Sequence, residues 1–141
     1  MPIKAENRAR YPRDWPEIRR RILARASHRC EHPGCSAVHA TLGYWLQRGG
    51  RWQWVPLPRA LHDAGVDAPC TIASSEGPLK IIRIVLTIAH LDHQPENCDA
   101  ANLRALCQRH HLAYDQAHHR ATAIATCAAR RSGNAAGDLF A

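Results

Sequence analysis

Two short-spaced ligand pairs restrict this chain more than anything else in it: Cys30 and Cys35 in "CEHPGC", and Cys107 and His110 in "CQRH". Thiolate and imidazole in C-x4-C and C-x2-H pairs form the donor set of a tetrahedral zinc site. Bringing the pairs together closes a long loop, which offsets part of the chain entropy that a small core must overcome. A Cys3His zinc staple is therefore expected. Four protein ligands leave no open position, so such a site explains folding rather than chemistry. His32 and His111 compete with His110 for the fourth place. Cys70, Cys98 and Cys127 have no ligand-spaced partner and read as ordinary thiols.

The staple matters because 141 residues hold one modest core. At 45% hydrophobic and 22% charged the chain is globular in composition. No apolar run reaches membrane-spanning length, and no apolar segment follows the charged start "MPIKAENRARYPRDW". A cytoplasmic protein without a membrane partner is expected. The net charge of +7 suits a polyanionic partner, since each phosphate contact releases condensed counterions.

Local patterning supplies the elements. In "YPRDWPEIRRRILARASHRC", Asp14 is a candidate N-cap, Glu17 completes a capping box, and Pro16 sits in the first turn. Trp15, Ile18, Ile22 and Ala26 give that helix an apolar face. Arg19, Arg20, Arg21 and Arg25 crowd the remainder, as a solvated face or as one that meets phosphates. "GYWLQRGGRWQWVPL" reads as a β-hairpin about Gly49-Gly50, with Trp45, Trp52 and Trp54 packing across strands or stacking on bases. Residues 58–78 read as loop with a short helix at "RALHDAG". "LKIIRIVLTIAH" reads as one strand. The loop "HQPENCDAAN" follows, then a helix from Asn102, a candidate cap, through "NLRALCQRHHLAYDQAHHRATAIATCAARR". Gly133 and Gly137 are expected to end it, leaving 133–141 as a flexible tail.

The strand-end His90, Asn102 and His111, with Cys107-x2-His110 beside the last of them, resemble the HNH (ββα-metal) endonuclease family, in its zinc-knuckle phage and bacterial form. There the pattern C-x(2–4)-C … N-L-x-x-L-C-x-x-C-H matches "CEHPGC … NLRALCQRHH", with His110 where the family usually has Cys. The resemblance covers roughly residues 11–35 and 83–120, so about 36–80 reads as an insertion. It implies an α+β fold: a small zinc-stapled ββα-metal core with an N-terminal helix, an inserted β-hairpin and a long C-terminal helix, forming one domain over 1–132.

Carried over by position, the resemblance implies three catalytic residues. His90 is the general base that takes a proton from water, Asn102 ties the loop and orients the base, and His111 ligates a catalytic divalent ion such as Mg2+. Asp115, one helical turn on, is implied as a further ligand. The family's metal-binding residue before the base is Ala89 here, which shifts that duty to Asp92 or His93. The implied activity is metal-dependent hydrolysis of DNA phosphodiester bonds, with Arg19, Arg20, Arg25 and Arg109 as backbone contacts. The alternative is a noncatalytic zinc-stapled nucleic-acid-binding module. A metalloprotease is disfavoured because no HExxH occurs. The tail "AGDLF" resembles peptides that dock on bacterial sliding clamps.

Overall fold

The computed structural model describes residues 3–137, and side chains as far as residue 132. It divides into a larger unit ending at Gln108 and a second one beginning at Arg109. The expected sliding-clamp peptide falls largely on 138–141, outside the described residues.

In the larger unit, a 3-10 turn over Ala5–Arg10 leads to helix α1, Trp15–Arg25. Asp14 stands at its N-cap, but the capping box is not made: the Asp14 side chain bonds no helix N–H, while the Asp14 carbonyl accepts from Glu17 and Ile18. Glu17 instead pairs with Arg20 at 2.7 Å, the closer attraction for a carboxylate on an exposed face. Ile22 and Leu23 are buried, and Trp15, Ile18 and Ala26 pack against the same cluster.

Strands β1 (Leu42–Arg48) and β2 (Arg51–Pro56) form the expected hairpin. Gly49 and Gly50, at φ +55° and +75°, supply the left-handed pair that a two-residue turn requires. Trp45 lies opposite Trp54, ring centroids 5.4 Å apart in a T-shaped contact. A short helix α2 (Arg59–Asp63) follows as expected. The region read as loop also contains a strand, β3 (Cys70–Ile72), paired with β4 (Leu79–Arg83). The sheet runs β2-β1-β4-β3, all antiparallel.

The run expected as one strand is two. After β4 the chain leaves the first sheet and re-forms as β5 (Thr87–His90), in a two-stranded sheet with β6 (Leu103–Leu106). Ile84 and Leu86 are fully buried in between, and side chains of that size are worth about 1.5–3 kcal/mol each when withdrawn from water. Their backbone groups still find partners. Ile84 N–H donates to Thr41 O, Ala40 N–H to Ile84 O, and Leu86 N–H to His39 Nδ1. Arg19 donates to Leu86 O at 3.3 Å.

A second correction concerns "NLRALC". It is strand β6, not the start of a helix, and Asn102 ends a 3-10 turn rather than capping one. The long helix, α3, begins at Gln108 and runs to Gly137, through Gly133 where a break was expected. The order is thus strand, loop, strand, helix. Among the described residues no helix is long and apolar enough to cross a membrane.

Candidate metal centre and histidine loop

Cys30 and Cys35 flank a tight knuckle. Cys35 N–H donates to His32 O, Gly34 takes φ +75°, and Cys30 N–H donates to Ala37 O. Glu31 fixes this knuckle to β6 from both ends of the residue. Its N–H donates to Ala105 O at 2.8 Å, and its carboxylate accepts from Ala105 N–H at 2.7 Å. Arg25 completes the clamp, pairing with Glu31 at 2.8 Å and donating to the carbonyls of Ala100 and Leu103. A residue expected to meet phosphates thus has three intramolecular acceptors.

The knuckle is thereby delivered beside Cys107, the residue between β6 and α3, and His110 lies in the first turn of α3. The ligand atoms of Cys30, Cys35, Cys107 and His110 all lie within 4.8 Å of one another, so these four are positioned to hold a metal ion. Sulfurs at tetrahedral corners 2.3 Å from zinc would sit about 3.8 Å apart, close to this arrangement. The donor chemistry fits as well. Hydrogen bonds from the Cys107 and Cys35 thiols hold the Cys30 thiol far below its ordinary value despite burial, and the Cys107 N–H adds a 3.4 Å bond to its sulfur. That is the environment of a thiolate ligand. Of the expected competitors, the His32 ring lies 3.0 Å from the Pro33 carbonyl, and His111 Nε2 lies 3.2 Å from Asp115 Oδ2.

His90 ends β5 opposite Leu103 and is 8% exposed. Trp15 stacks on its ring at 5.2 Å and 22°, and Tyr11 meets it edge-on at 5.7 Å. Cys98 Sγ lies 3.8 Å from His90 Nε2 and donates to Pro95 O at 3.3 Å. Burial pushes the Cys98 thiol up, so it stays protonated. With the thiol proton directed at Pro95, the Cys98 sulfur can accept a hydrogen bond from the His90 ring at Nε2.

The loop between β5 and β6 is held by Asn102 and Asp92. Asn102 Oδ1 accepts from Asp92 N–H, while its Nδ2 donates to Asp92 Oδ1 and to Asn97 O, both at 2.9 Å. Asp92 also accepts from Gln94 N–H at 2.9 Å and Asn97 Nδ2 at 2.7 Å. The Asn97 amide, then the Gln94 N–H, hold its carboxyl down to about 2. Both of its oxygens are engaged within the loop, so Asp92 is committed to loop structure. His93 follows in a left-handed conformation, φ +57°, which costs a non-glycine residue of order 1 kcal/mol or more. Its N–H donates to His90 O.

In α3, His111 and Asp115 form an i,i+4 pair, each about a quarter exposed. Glu31, Cys98, Asn97, Trp15 and Tyr11 were not anticipated as parts of this region. Only the polar spacing Asp92, Asn97, Asn102 offered a local signal for any of them.

No protein-family model, curated protein or solved structure matches the chain. What stands from its own geometry is a mixed α+β protein with a long C-terminal helix and a Cys3His cluster positioned to hold a metal ion.

Proposed function

We propose that the chain is a zinc-stapled, metal-dependent DNA endonuclease of the HNH kind. The observation that carries this reading is the Asn102 tie. A β5–loop–β6–helix order presents His90 at the strand end while Asn102 holds the loop beneath it by three hydrogen bonds. The resemblance implies this division of labour between the two residues. The structural zinc belongs on Cys30, Cys35, Cys107 and His110, where it fixes the knuckle to the end of β6.

In this reading His90 is the base that takes a proton from water, with Cys98 beside its Nε2. Trp15 and Tyr11 hold the ring in place and keep bulk water from it, so orientation is set before substrate arrives. His111 and Asp115, paired one turn apart on α3, are the residues to which the resemblance assigns a divalent ion, whose charge would stabilise the pentacovalent phosphate and the leaving 3′ oxygen. The basic surface, Arg19, Arg20 and Arg109 included, supplies attraction to the phosphate backbone without sequence preference.

A second reading has its own observation. His90 is 8% exposed, Ala89 offers no ligand, and Asp92 is occupied, which together suit a binding module without catalysis. Supercoiled plasmid separates the two. With equal zinc content, wild type is expected to nick only when Mg2+ or Mn2+ is added, and His90→Ala to be slower by at least about 100-fold, the usual worth of a positioned base. If neither protein cuts with any metal while both retard DNA in a gel, the binding module replaces the nuclease.

A further inference from the structure

The inserted hairpin ends in "QRGGRWQ", and its chemistry differs from the rest of the sheet. No Asp or Glu occurs from residue 32 to residue 62. Arg48 and Arg51 face each other across the closing pair of the hairpin, where like charges repel. None of the ion pairs among the described residues reaches either guanidinium. Trp54, two residues back from the tip along β2, is anchored in the core at 5% exposure and packs on Trp45. Trp52 continues that face opposite Gln47 but is 45% exposed. Gln47 is exposed beside it, and Gln53 is exposed on the opposite face, with the two arginines. The base of the hairpin is thus used for packing, and its tip offers two cations, an indole and two amides to solvent.

We infer that this tip is a duplex-DNA-binding arm. A two-stranded ribbon fits the major groove. Arg48 and Arg51, on one face, bind phosphates, whose charge relieves their mutual repulsion. Trp52 and Gln47, on the other face, meet sugars and base edges, while Gln53, on the arginine face, extends the contact with the phosphates. The arm gives the insertion a role that the packing of Trp54 does not require. This inference rests on the nucleic-acid reading above, and the experiment keeps the two apart.

Binding of a fluorescent 20-base-pair duplex is measured by anisotropy over a salt series, without added Mg2+. The proteins are wild type, Arg48→Gln/Arg51→Gln, Trp52→Ala, and Arg59→Gln/Lys80→Gln as an equal charge change elsewhere in the unit. Zinc content and near-UV circular dichroism confirm folding, which exposed tip side chains should not disturb. The tip double variant is expected to lower the slope of log affinity against log salt by roughly 1.8, the loss of two phosphate contacts. Trp52→Ala is expected to weaken binding about tenfold with the slope unchanged. The charge control should stay within about twofold of wild type.

If wild type binds while the tip variants keep its affinity and slope, or if the control loses as much as the tip, the arm is wrong and nucleic-acid binding stands. If wild type neither binds duplex nor cuts plasmid, both readings fall. Binding to phosphatidylserine vesicles that the tip variants lose, with duplex binding intact, would assign the tip to a lipid surface instead.

Discussion

Asp92 is the residue on which the histidine loop turns. In the sequence it is one of two alternatives, with His93, for the metal-binding duty that the resemblance assigns to the position of Ala89. Its actual partners, Gln94, Asn97 and Asn102, become neighbours only once the loop closes, and then both oxygens are filled. The same closure makes its acidity a test of the loop. The folded carboxyl sits at about 2 against an ordinary 3.8, so its contribution to stability is complete above 3.8 and is lost as pH falls through about 2. Asn97 is the leading cause, so Asn97→Ala should move the midpoint back toward 3.8. Followed downward from neutral pH by the Asp92 carboxyl carbon shift, wild type should show no protonation at pH 4, whereas Asn97→Ala should already be titrating there. Identical curves would mean that Asn97 is a bystander. The strand-end position of His90 and the loop tie through Asn102 were legible in residue type and order, whereas the helix expected to start at Asn102 was not formed. The Trp15, Tyr11 and Cys98 contacts around His90 were not legible, since they depend on α1 and the loop meeting in space.

Two elements show where local pattern stops being informative. "LKIIRIVLTIAH" has the β-branched content of a strand throughout, yet its middle bends between sheets because residues 39–41 and Arg19 offer partners that no local signal encodes. "NLRALC" contains good helix formers, yet it pairs with β5 and is clamped by Glu31, so tertiary contacts override propensity. The hairpin was legible because Gly49-Gly50 is a turn signal in itself. Gly43 in β1 was not. A Cβ there would press into the Val55 carbonyl oxygen and lie 2.7 Å from the Trp54 ring, so β2 can only approach a glycine. Gly43→Ala should therefore destabilise the protein by about 1–3 kcal/mol as an overpacked site, with altered Trp fluorescence. Gly49→Ala meets no atom and carries only the backbone strain of φ +55°, about 1 kcal/mol. Thermal unfolding ranks the two, and a milder effect at Gly43 would contradict the packing described for the hairpin.

At the scale of the whole molecule, the ligand spacing was legible and its setting was not. C-x4-C and C-x2-H pointed to four ligands, but the Arg25–Glu31–Ala105 clamp that carries the knuckle to β6 joins residues far apart in sequence. Because that clamp and a metal on the four ligands would hold the same junction, removing the metal should loosen the sheet of β5 and β6 as well as the knuckle. Cys35 is the residue to watch. Cys107 and Cys30 are shielded by burial whether or not metal is bound, whereas Cys35 is only half-buried and is shielded chiefly by coordination. In metal-loaded protein a thiol reagent should modify the exposed Cys127 quickly and Cys70 and Cys98 more slowly, leaving the three ligand cysteines untouched. On chelation Cys35 should react at once, followed by Cys30 and Cys107 at the rate at which the core opens. One equivalent of zinc should leave with the first of these events, and the melting temperature should fall by about 10 °C or more. Cys30→Ser should reproduce that fall without chelator, and Cys98→Ser should not. Slow Cys35 modification after metal loss, or an unchanged melting temperature, would mean that the clamp alone holds the junction and that the cluster is not a structural metal site.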